Sequence, residues 1–478
     1  MIKILTTFDS YREAHLLVSQ MTAAGLEPNL FSISDAGSET QPTRRLEIAF
    51  AMVIGIFIAF IIPNHYLSHL TFGLHLVGLV GIRMLTGAAT GGAIELLWQK
   101  TIPGKAEGGH YGVTIEADWT TMQRAQRVWQ DFSTYKNERL QRLVQTYGYE
   151  HQSFLSLYDG GQVWFLAEPE AAVVYRRLDN VALVTAAPLA MREDWEQATR
   201  EFLKFCMEQN MDCLMLPVGS EFAAVAQTCG MGILRIGTCG YFNLPEWKPA
   251  GDRAKKVRAG VNQARGAGVT VRPFYPKYEM NAQTRAEIEQ LCQQWIESRE
   301  IDALGWLLEL NPFKLAEQKR YFLARNAAGR LEGMLACSPF VARRGWYLED
   351  LLRRQDAPRG VSELLVVEAL KHLAAEGAEL ATLGTSPLAG VKPEGQFNWL
   401  ARLLQLVYEH FDAFYHFKQL HRFKAKFAPT LVDAEYIAMW PPRVRLRMIR
   451  AAIKVLDPSG LTGMTTAKLR KLWHQMHG

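Results

Sequence analysis

Arg353, Arg354 and Arg359 crowd one short loop of the segment WYLEDLLRRQDAPRGVSELLVVEALKHLAAEGAELATLGTSPLAG, Trp346 to Gly390, and Gly360 closes that loop. The segment reads as a strand, an arginine-bearing loop, an amphipathic helix, a second strand and a Ser-Pro turn. A helix that begins at such a loop offers free backbone N–H groups beside fixed positive charge, a place able to hold a phosphate or a carboxylate. Glu363, in the first turn of that helix, is an acid where acids complement the helix dipole.

Two further segments carry cations at regular spacing. In RAKKVRAGVNQARGA, Lys255, Arg258, Asn262 and Arg265 follow 3-4-3 spacing and share one helix face, while Ala254, Val257, Val261 and Ala264 line another that can pack. Such a stripe is either solvated surface or a phosphate-binding face. Nearer the C-terminus, YHFKQLHRFKAKFAP interleaves Tyr415, Arg422, Lys424 and Lys426 with Phe423 and Phe427. The phenylalanines, at i and i+4, suit a core; the lysines, which are seldom buried without partners, face either phosphate or solvent. Six cysteines (206, 213, 229, 239, 292 and 337) form no C-x-x-C pattern and do not cluster with histidine. No disulfide framework, no metal site and no cysteine nucleophile are therefore expected, and a reducing compartment fits.

The elements that position these residues follow an α/β rhythm. The runs QVWFLAE, AAVVYRRL and NVALVTAAP read as strands ahead of a helix over Trp195–Gln209, and DCLMLPV reads as a buried strand. A second round begins with VTVRPF and a helix through Glu287–Arg299. It continues with RLEGMLACSPF, WYLEDLLRR, a helix over Val361–Glu376 and ELATLGT. The fold class is α/β (α+β). The approximate doubling predicts two related domains, 148–250 and 269–440, joined by a basic connecting helix over 251–268. A small α/β module fills 1–135, and a basic amphipathic tail follows over 441–478.

A chain of 478 residues with 49% hydrophobic and 21% charged residues is a folded, multidomain protein. Its net charge of +5 is unevenly placed: from Pro441 to Gly478 eight Lys or Arg stand against Asp457 alone, so the rest is slightly acidic. That basic tail, with PPRVRLRMIRAAIKVL at its start, suits an anionic bilayer or RNA, or packs on the second α/β domain.

No signal peptide is expected, because the first residues read as a strand and a polar helix. Within the first module, Ile48 to Ile62 is charge-free, and a second apolar region, Thr71 to Trp98, carries Gly87 and Gly91 in GxxxG spacing. Together they predict a membrane hairpin over about 46–98, the alternative being a buried soluble hairpin. Arg44, Arg45, Lys100 and Lys105 flank its outer ends, so both ends are expected in the cytoplasm. The flanking runs Ile2–Thr7 and Tyr111–Glu116, each followed by a helix, predict a small ferredoxin-like sheet from which the hairpin projects.

From about Gly148 to Trp440 the chain resembles the C-terminal catalytic region of phosphatidylglycerol lysyltransferases, the multiple peptide resistance factor family. The segments that carry this are HQSFLSLYDGGQVWFL, KKVRAGVNQARGAGVTV, LEDLLRRQDAPRGVSELLVVEAL, LGTSPLAG and YHFKQLHRFKAKFAP, in that order. The resemblance implies a tandem GNAT-like fold and transfer of an aminoacyl group from aminoacyl-tRNA to a hydroxyl of a membrane lipid. Asp350 and Arg353 fall on the family's Asp and Arg, and Glu363 falls where an Asp is usual. Arg422, Phe423, Lys424, Lys426 and Phe427 fall on its basic-aromatic segment. The family's Trp-Glu-Pro-Arg-Tyr is here Val432-Asp433-Ala434-Glu435-Tyr436, with Glu435 in place of arginine. The residues before 148 do not resemble the large flippase region that usually precedes the catalytic part.

An aminoacyl ester is already activated, so its transfer needs no metal and no cofactor, but the accepting hydroxyl must lose a proton. Asp350, ending a strand beside the basic loop, is the candidate to orient or deprotonate that hydroxyl; otherwise it pairs with Arg353 or Arg354. Arg353 is the candidate for a lipid or tRNA phosphate, which a guanidinium binds bidentately. Arg354, Arg359, Tyr415, Arg422, Lys424 and Lys426 complete the expected substrate-binding set, with Glu363 for the amino acid's ammonium. The expected partners are aminoacyl-tRNA and an anionic phospholipid at the cell membrane, with the catalytic domains cytoplasmic. Two other readings stand beside this one. RRQDAPRG also resembles, loosely, a pyrophosphate-binding loop of an acyl-CoA-dependent N-acyltransferase. A degenerate transferase fold would instead make a non-catalytic, membrane-anchored sensor or accessory protein.

Overall fold

The computed structural model describes residues 2–8, 11–24, 26–27, 30–35, 111–117, 119–158, 161–178, 180–297, 310, 312–391, 397, 400–402, 404–405 and 417–456. The expected hairpin over 46–98, Tyr415 and the tail after 456 lie outside these residues. No helix among the described residues is long and apolar enough to cross a membrane. Two units divide the chain, one ending at Phe132 and the other running from Ser133 to Leu456.

In the first unit, β1 (Ile2–Phe8) and β2 (Phe31–Asp35) flank β3 (Tyr111–Ala117), and both run antiparallel to it. Helix α1 (Tyr11–Ala23) connects β1 to β2, so the three strands form a split βαβ unit. Ala14, Leu17, Val18 and Met21 recur at helical spacing on α1 and close a small core with Leu26 and Ala125. Ala125 belongs to α2 (Trp119–Tyr147), the helix expected after Tyr111–Glu116.

The second unit is built on one sheet of 11 strands, in the order β4-β5-β6-β7-β14-β8-β13-β12-β11-β10-β9. Its two ends follow the same plan. An antiparallel run, β4 (Gln162–Leu166), β5 (Ala171–Leu178) and β6 (Val181–Val184), leads through α3 (Trp195–Glu208) to β7 (Asp212–Gly219), which pairs parallel with β6. The other end has β9 (Thr270–Phe274), β10 (Arg320–Arg325), β11 (Leu331–Phe340) and β12 (Gly345–Arg353). From there α7 (Val361–Ala375) leads to β13 (Leu380–Pro387), parallel to β12. The centre is β8 (Gly232–Asn243) and β14 (Leu431–Trp440). β14 lies between β7 and β8, so a strand that sequence division gives to the second domain sits among strands of the first.

Four helices hand the chain to a strand in the same way. α3, α4 (Ser220–Thr228), α5 (Lys255–Gly266) and α7 are followed by Asn210, Gly230, Gly268 and Gly377, all at positive φ. After each, the next residue's N–H reaches back to a carbonyl in the last turn: Met211 to Cys206, Met231 to Ala226, Val269 to Ala264 and Ala378 to Leu373, at 2.8–3.1 Å. This left-handed cap satisfies the terminal carbonyls and reverses the chain onto the sheet, which explains why glycine or asparagine stands at these positions.

Both faces of the sheet are covered. Along β10 and β11, Phe322, Ala324, Leu335 and Cys337 meet α5 and α7, whereas Tyr321, Leu323, Met334 and Ala336 meet α6 (Ala282–Glu297). At the other end, Ala182, Val184, Cys213 and Met215 pack under α3 and α4, and Val181, Leu183, Leu214 and Leu216 pack under Met448 and Ala451. These last two lie on α9 (Leu446–Leu456), the start of the basic tail. Asp212, almost fully buried, accepts from Arg445 at 2.7 Å and from Arg447. This stretch of the tail is thus seated on the first half of the sheet, not on the second as one reading had it.

Candidate active site

Asp350 owes its setting to an irregularity in β12. Ala336 opposes Asp350 and Cys337 opposes Leu348, so Glu349 is an extra residue, a β-bulge that brings two consecutive carboxylates opposite one stretch of β11. Lys319, with a fully buried side chain, lies 3.2 Å from Glu349 Oε2 and donates to Tyr158 Oη at 2.6 Å. Tyr158 Oη in turn donates to Glu349 Oε1 at 3.3 Å. Burial pushes the Asp350 carboxyl up to about 8, and the neighbouring Glu349 carboxylate adds to the shift against the pull of Lys319. At neutral pH, Asp350 therefore carries a proton next to a buried Lys–Glu pair. It can donate a hydrogen bond, and after losing that proton it can accept one from a hydroxyl.

The strands carrying this group separate nearby. β12 and β13 pair in parallel only from Gly345–Leu380 to Tyr347–Thr382, although they continue to Arg353 and Pro387. Gly384, at φ +76°, lies against the Tyr347 ring at the separation. His151 packs edge-on against the same ring at 5.0 Å. His151 belongs to a second buried group, made by Glu150, Cys239, Lys424 and Glu435. Glu150 accepts from the Gly219 N–H at 3.0 Å, and burial pushes its carboxyl up to about 7. Burial raises Glu435 to about 8, aided by the Glu150 carboxylate. Burial lowers Lys424 to about 8 against the pull of Cys239 and Glu435. Its ammonium donates to the Thr385 carbonyl at 2.6 Å. Burial also lowers His151 to about 3, with Lys424 and Arg343 adding to the effect.

The residues singled out from sequence are distributed around these two groups. Asp350 pairs with neither Arg353 nor Arg354. Arg353 is exposed at the end of β12, its Nη1 3.3 Å from the Arg354 carbonyl. Arg354 is turned onto Asp356 at 3.1 Å, and Arg330 reaches the same carboxylate at 2.9 Å. Arg359 is exposed in the following turn. Gly360, at φ +91°, abuts the Gly260 backbone, where a side chain would run into the Gly260 carbonyl. This crossing of α5 and α7 places Glu363 against Gly260, and Lys426 closes on Glu363 at 2.6 Å. Arg422 is exposed on α8 (Phe417–Ala425), which carries Lys424 beneath β13.

The four-residue stripe of α5 is divided. Lys255 and Asn262 are exposed, Arg258 donates to the carbonyls of Pro249 and Gly251 at 3.2 and 2.6 Å, and Arg265 pairs with Glu368 at 2.7 Å. The opposite face packs as expected, with Ala254, Val257, Val261 and Ala264 all buried.

Sequence reasoning missed Lys319, Tyr158, Glu349, Glu150 and His151. Tyr158, Glu150 and His151 lie in or beside a segment already singled out by resemblance, and Glu349 adjoins Asp350. Lys319, in the turn before β10, sits in no pattern that announces it. Glu349 is brought to it by the register of β11 on β12, and Tyr158 by the distant segment after Gly148.

An α/β unit on a large mixed sheet, with a half-buried carboxyl where paired strands part, is the architecture in which this site sits. Residues 141–439 match the family described as "Phosphatidylglycerol lysyltransferase, C-terminal", and the chain belongs to that family. It is 22% identical over 293 residues to phosphatidylglycerol lysyltransferase of Bacillus subtilis, covering 61% of this chain and 34% of that one. It is 24% identical over 278 residues to the lysylphosphatidylglycerol biosynthesis bifunctional protein LysX of Nocardia farcinica, covering 58% and 24%. The chain thus spans about a third or less of the length of these relatives. Its fold is similar to that of L-PGS from Bacillus licheniformis, with a TM-score of 0.56 at 16% identity, over 67% of this chain and 96% of that one.

Proposed function

We propose that this protein transfers an aminoacyl group from aminoacyl-tRNA to a hydroxyl of an anionic phospholipid such as phosphatidylglycerol. The observation that carries the reading is Asp350, a half-buried carboxyl on the β12 bulge, three residues from the exposed Arg353, in a chain of the phosphatidylglycerol lysyltransferase family. In the reaction the acceptor oxygen attacks the ester carbonyl, the bond from that carbonyl to the tRNA ribose oxygen breaks, and Asp350 takes the proton of the acceptor and returns it to the departing ribose oxygen. The ester supplies the activation, so these residues need only position the partners and manage one proton. Arg353, with Arg359 and Arg422, meets phosphate. Glu363, held by Lys426, meets the ammonium of the amino acid. Lys255 and Asn262 extend the cationic surface toward RNA.

The equivalent ends of the sheet, each an antiparallel run ending in a helix-spanned parallel pair, support a tandem GNAT-like architecture. The first unit is read as a ferredoxin-like module whose hairpin over 46–98 tethers the protein to the cell membrane, with the catalytic halves in the cytoplasm. The acyl-CoA alternative has less support. The arginine-rich loop has one guanidinium neutralised by Asp356, and its glycine is packed on the Gly260 carbonyl. The test is incubation of the full chain with charged tRNA and phosphatidylglycerol vesicles. RNase-sensitive incorporation of amino acid into lipid is expected; none with any amino acid or common anionic lipid overturns the reading.

A further inference from the structure

His151, Cys239 and Glu435 come from three distant parts of the chain and meet in the middle of the large sheet. Each offers one ligand atom, and these atoms all lie within 4.8 Å of one another. His151 Nδ1 is 3.8 Å from Glu435 Oε1. All three residues are buried, Cys239 completely. Neither His151 ring nitrogen has a hydrogen-bond partner among the described residues, and neither has Glu435 Oε2. A buried imidazole with both nitrogens idle, beside an idle carboxylate oxygen, is costly unless a ligand completes it.

We propose that His151, Cys239 and Glu435 form a binding site for one borderline-soft divalent cation of the zinc class. Imidazole, thiolate and carboxylate are the donors such an ion takes, whereas magnesium and calcium favour sets made of oxygen alone. Zinc bond lengths of about 2.0–2.3 Å imply ligand atoms about 3.3–3.8 Å apart at tetrahedral angles. The His–Glu separation of 3.8 Å must shorten by a few tenths of an ångström, and the sulfur by about an ångström at most, both within reach of small side-chain adjustments. Three protein ligands leave the fourth vertex for water. On binding, the Cys239 thiol and, where protonated, the Glu435 carboxyl release their protons to solvent. The Cys239 thiol lies 3.1 Å from Thr382 Oγ1, a contact that metal binding would replace. Lys424 and Arg343 oppose a cation here, while Glu150 and Asp433 lie close enough to Glu435 to favour one. Because Glu435 stands where the resemblance leads one to expect arginine, the site belongs to this chain and not to the family pattern.

The test uses the full chain, stripped of metal and titrated with Co2+. A thiolate-to-cobalt charge-transfer band saturating at one equivalent is expected, displaced by Zn2+, retained in Cys292→Ser and lost in Cys239→Ala. Glu435→Gln, which keeps the shape of the side chain, is expected to weaken Zn2+ binding at least tenfold. Should Cys239→Ala fail to fold, the titrations of the unmodified chain, Cys292→Ser and Glu435→Gln decide. No band in the unmodified chain, a band lost in Cys292→Ser, or Zn2+ affinity unchanged in Glu435→Gln overturns the proposal. None of these readouts depends on aminoacyl transfer, so the site stands or falls separately from the activity.

Discussion

The ring of Tyr347 lies directly against Gly384, in the space that a side chain at 384 would fill. The same ring lies close to two polar groups. Glu349 and Asp350 follow it along β12, while His151 packs against it from the side of Cys239 and Glu435. Gly384→Ala would both strain a backbone at φ +76° and push the ring away. A loss of about 2–4 kcal/mol is expected from these two costs together. Chemical denaturation measures it, and a change below about 1 kcal/mol would show that the ring yields freely.

Asp350→Asn removes the proposed proton acceptor while keeping the shape of the side chain. A fall in transfer rate of about 10²–10⁴-fold is expected, the usual scale for a lost general base. Thermal unfolding should show no loss of stability, since the carboxyl is already neutral at pH 7. Wild-type rates with unchanged folding would remove Asp350 from the mechanism.

The same group sets opposite pH trends for stability and activity. The folded protein holds the Asp350 proton up to about pH 8, whereas the unfolded chain releases it near 3.8. Between those values the native state binds the extra proton, so this contribution to stability is complete below about pH 4 and is lost as pH rises through 8. Transfer, which needs the ionised carboxylate, should instead rise toward pH 8. Unfolding and rate profiles of wild type and Asp350→Asn, compared over pH 5–9, isolate this group. Parallel profiles in the two proteins would contradict it.

Lys319 and Glu349 form a buried pair, and removing one partner strands the other. Lys319→Met should cost about 3–5 kcal/mol, and Lys319→Met with Glu349→Gln should recover most of it. A double-mutant cycle by urea denaturation gives the coupling, which should be well above the ~1 kcal/mol of an exposed pair.

Much of the scaffold was legible because local chemistry and final structure agree. The apolar run DCLMLPV became a strand buried along its whole length, and the four-residue packing face of α5 lies against the core. Amphipathic spacing carries that information without tertiary context. The site was less legible because its decisive groups meet through register. Glu349 and Asp350 act beside Lys319 only because β12 bulges on β11, and a bulge leaves little trace in a hydrophobic pattern. The fate of the arginines was hidden for a similar reason. Nothing between Arg354 and Asp356 in sequence separates an ion pair from a phosphate site, and the loop conformation chose the ion pair.

The placement of β14 between β7 and β8 has a consequence for how the protein is made. A ribosome will have released nearly all of the large sheet before the strand that joins its halves emerges. Until then β7 and β8 present open edges at the centre of the molecule, each a template for pairing with another chain. Newly made protein is therefore most exposed to aggregation just before synthesis reaches Leu431. A chain cut short there would be an assembly hazard even if every other element had formed.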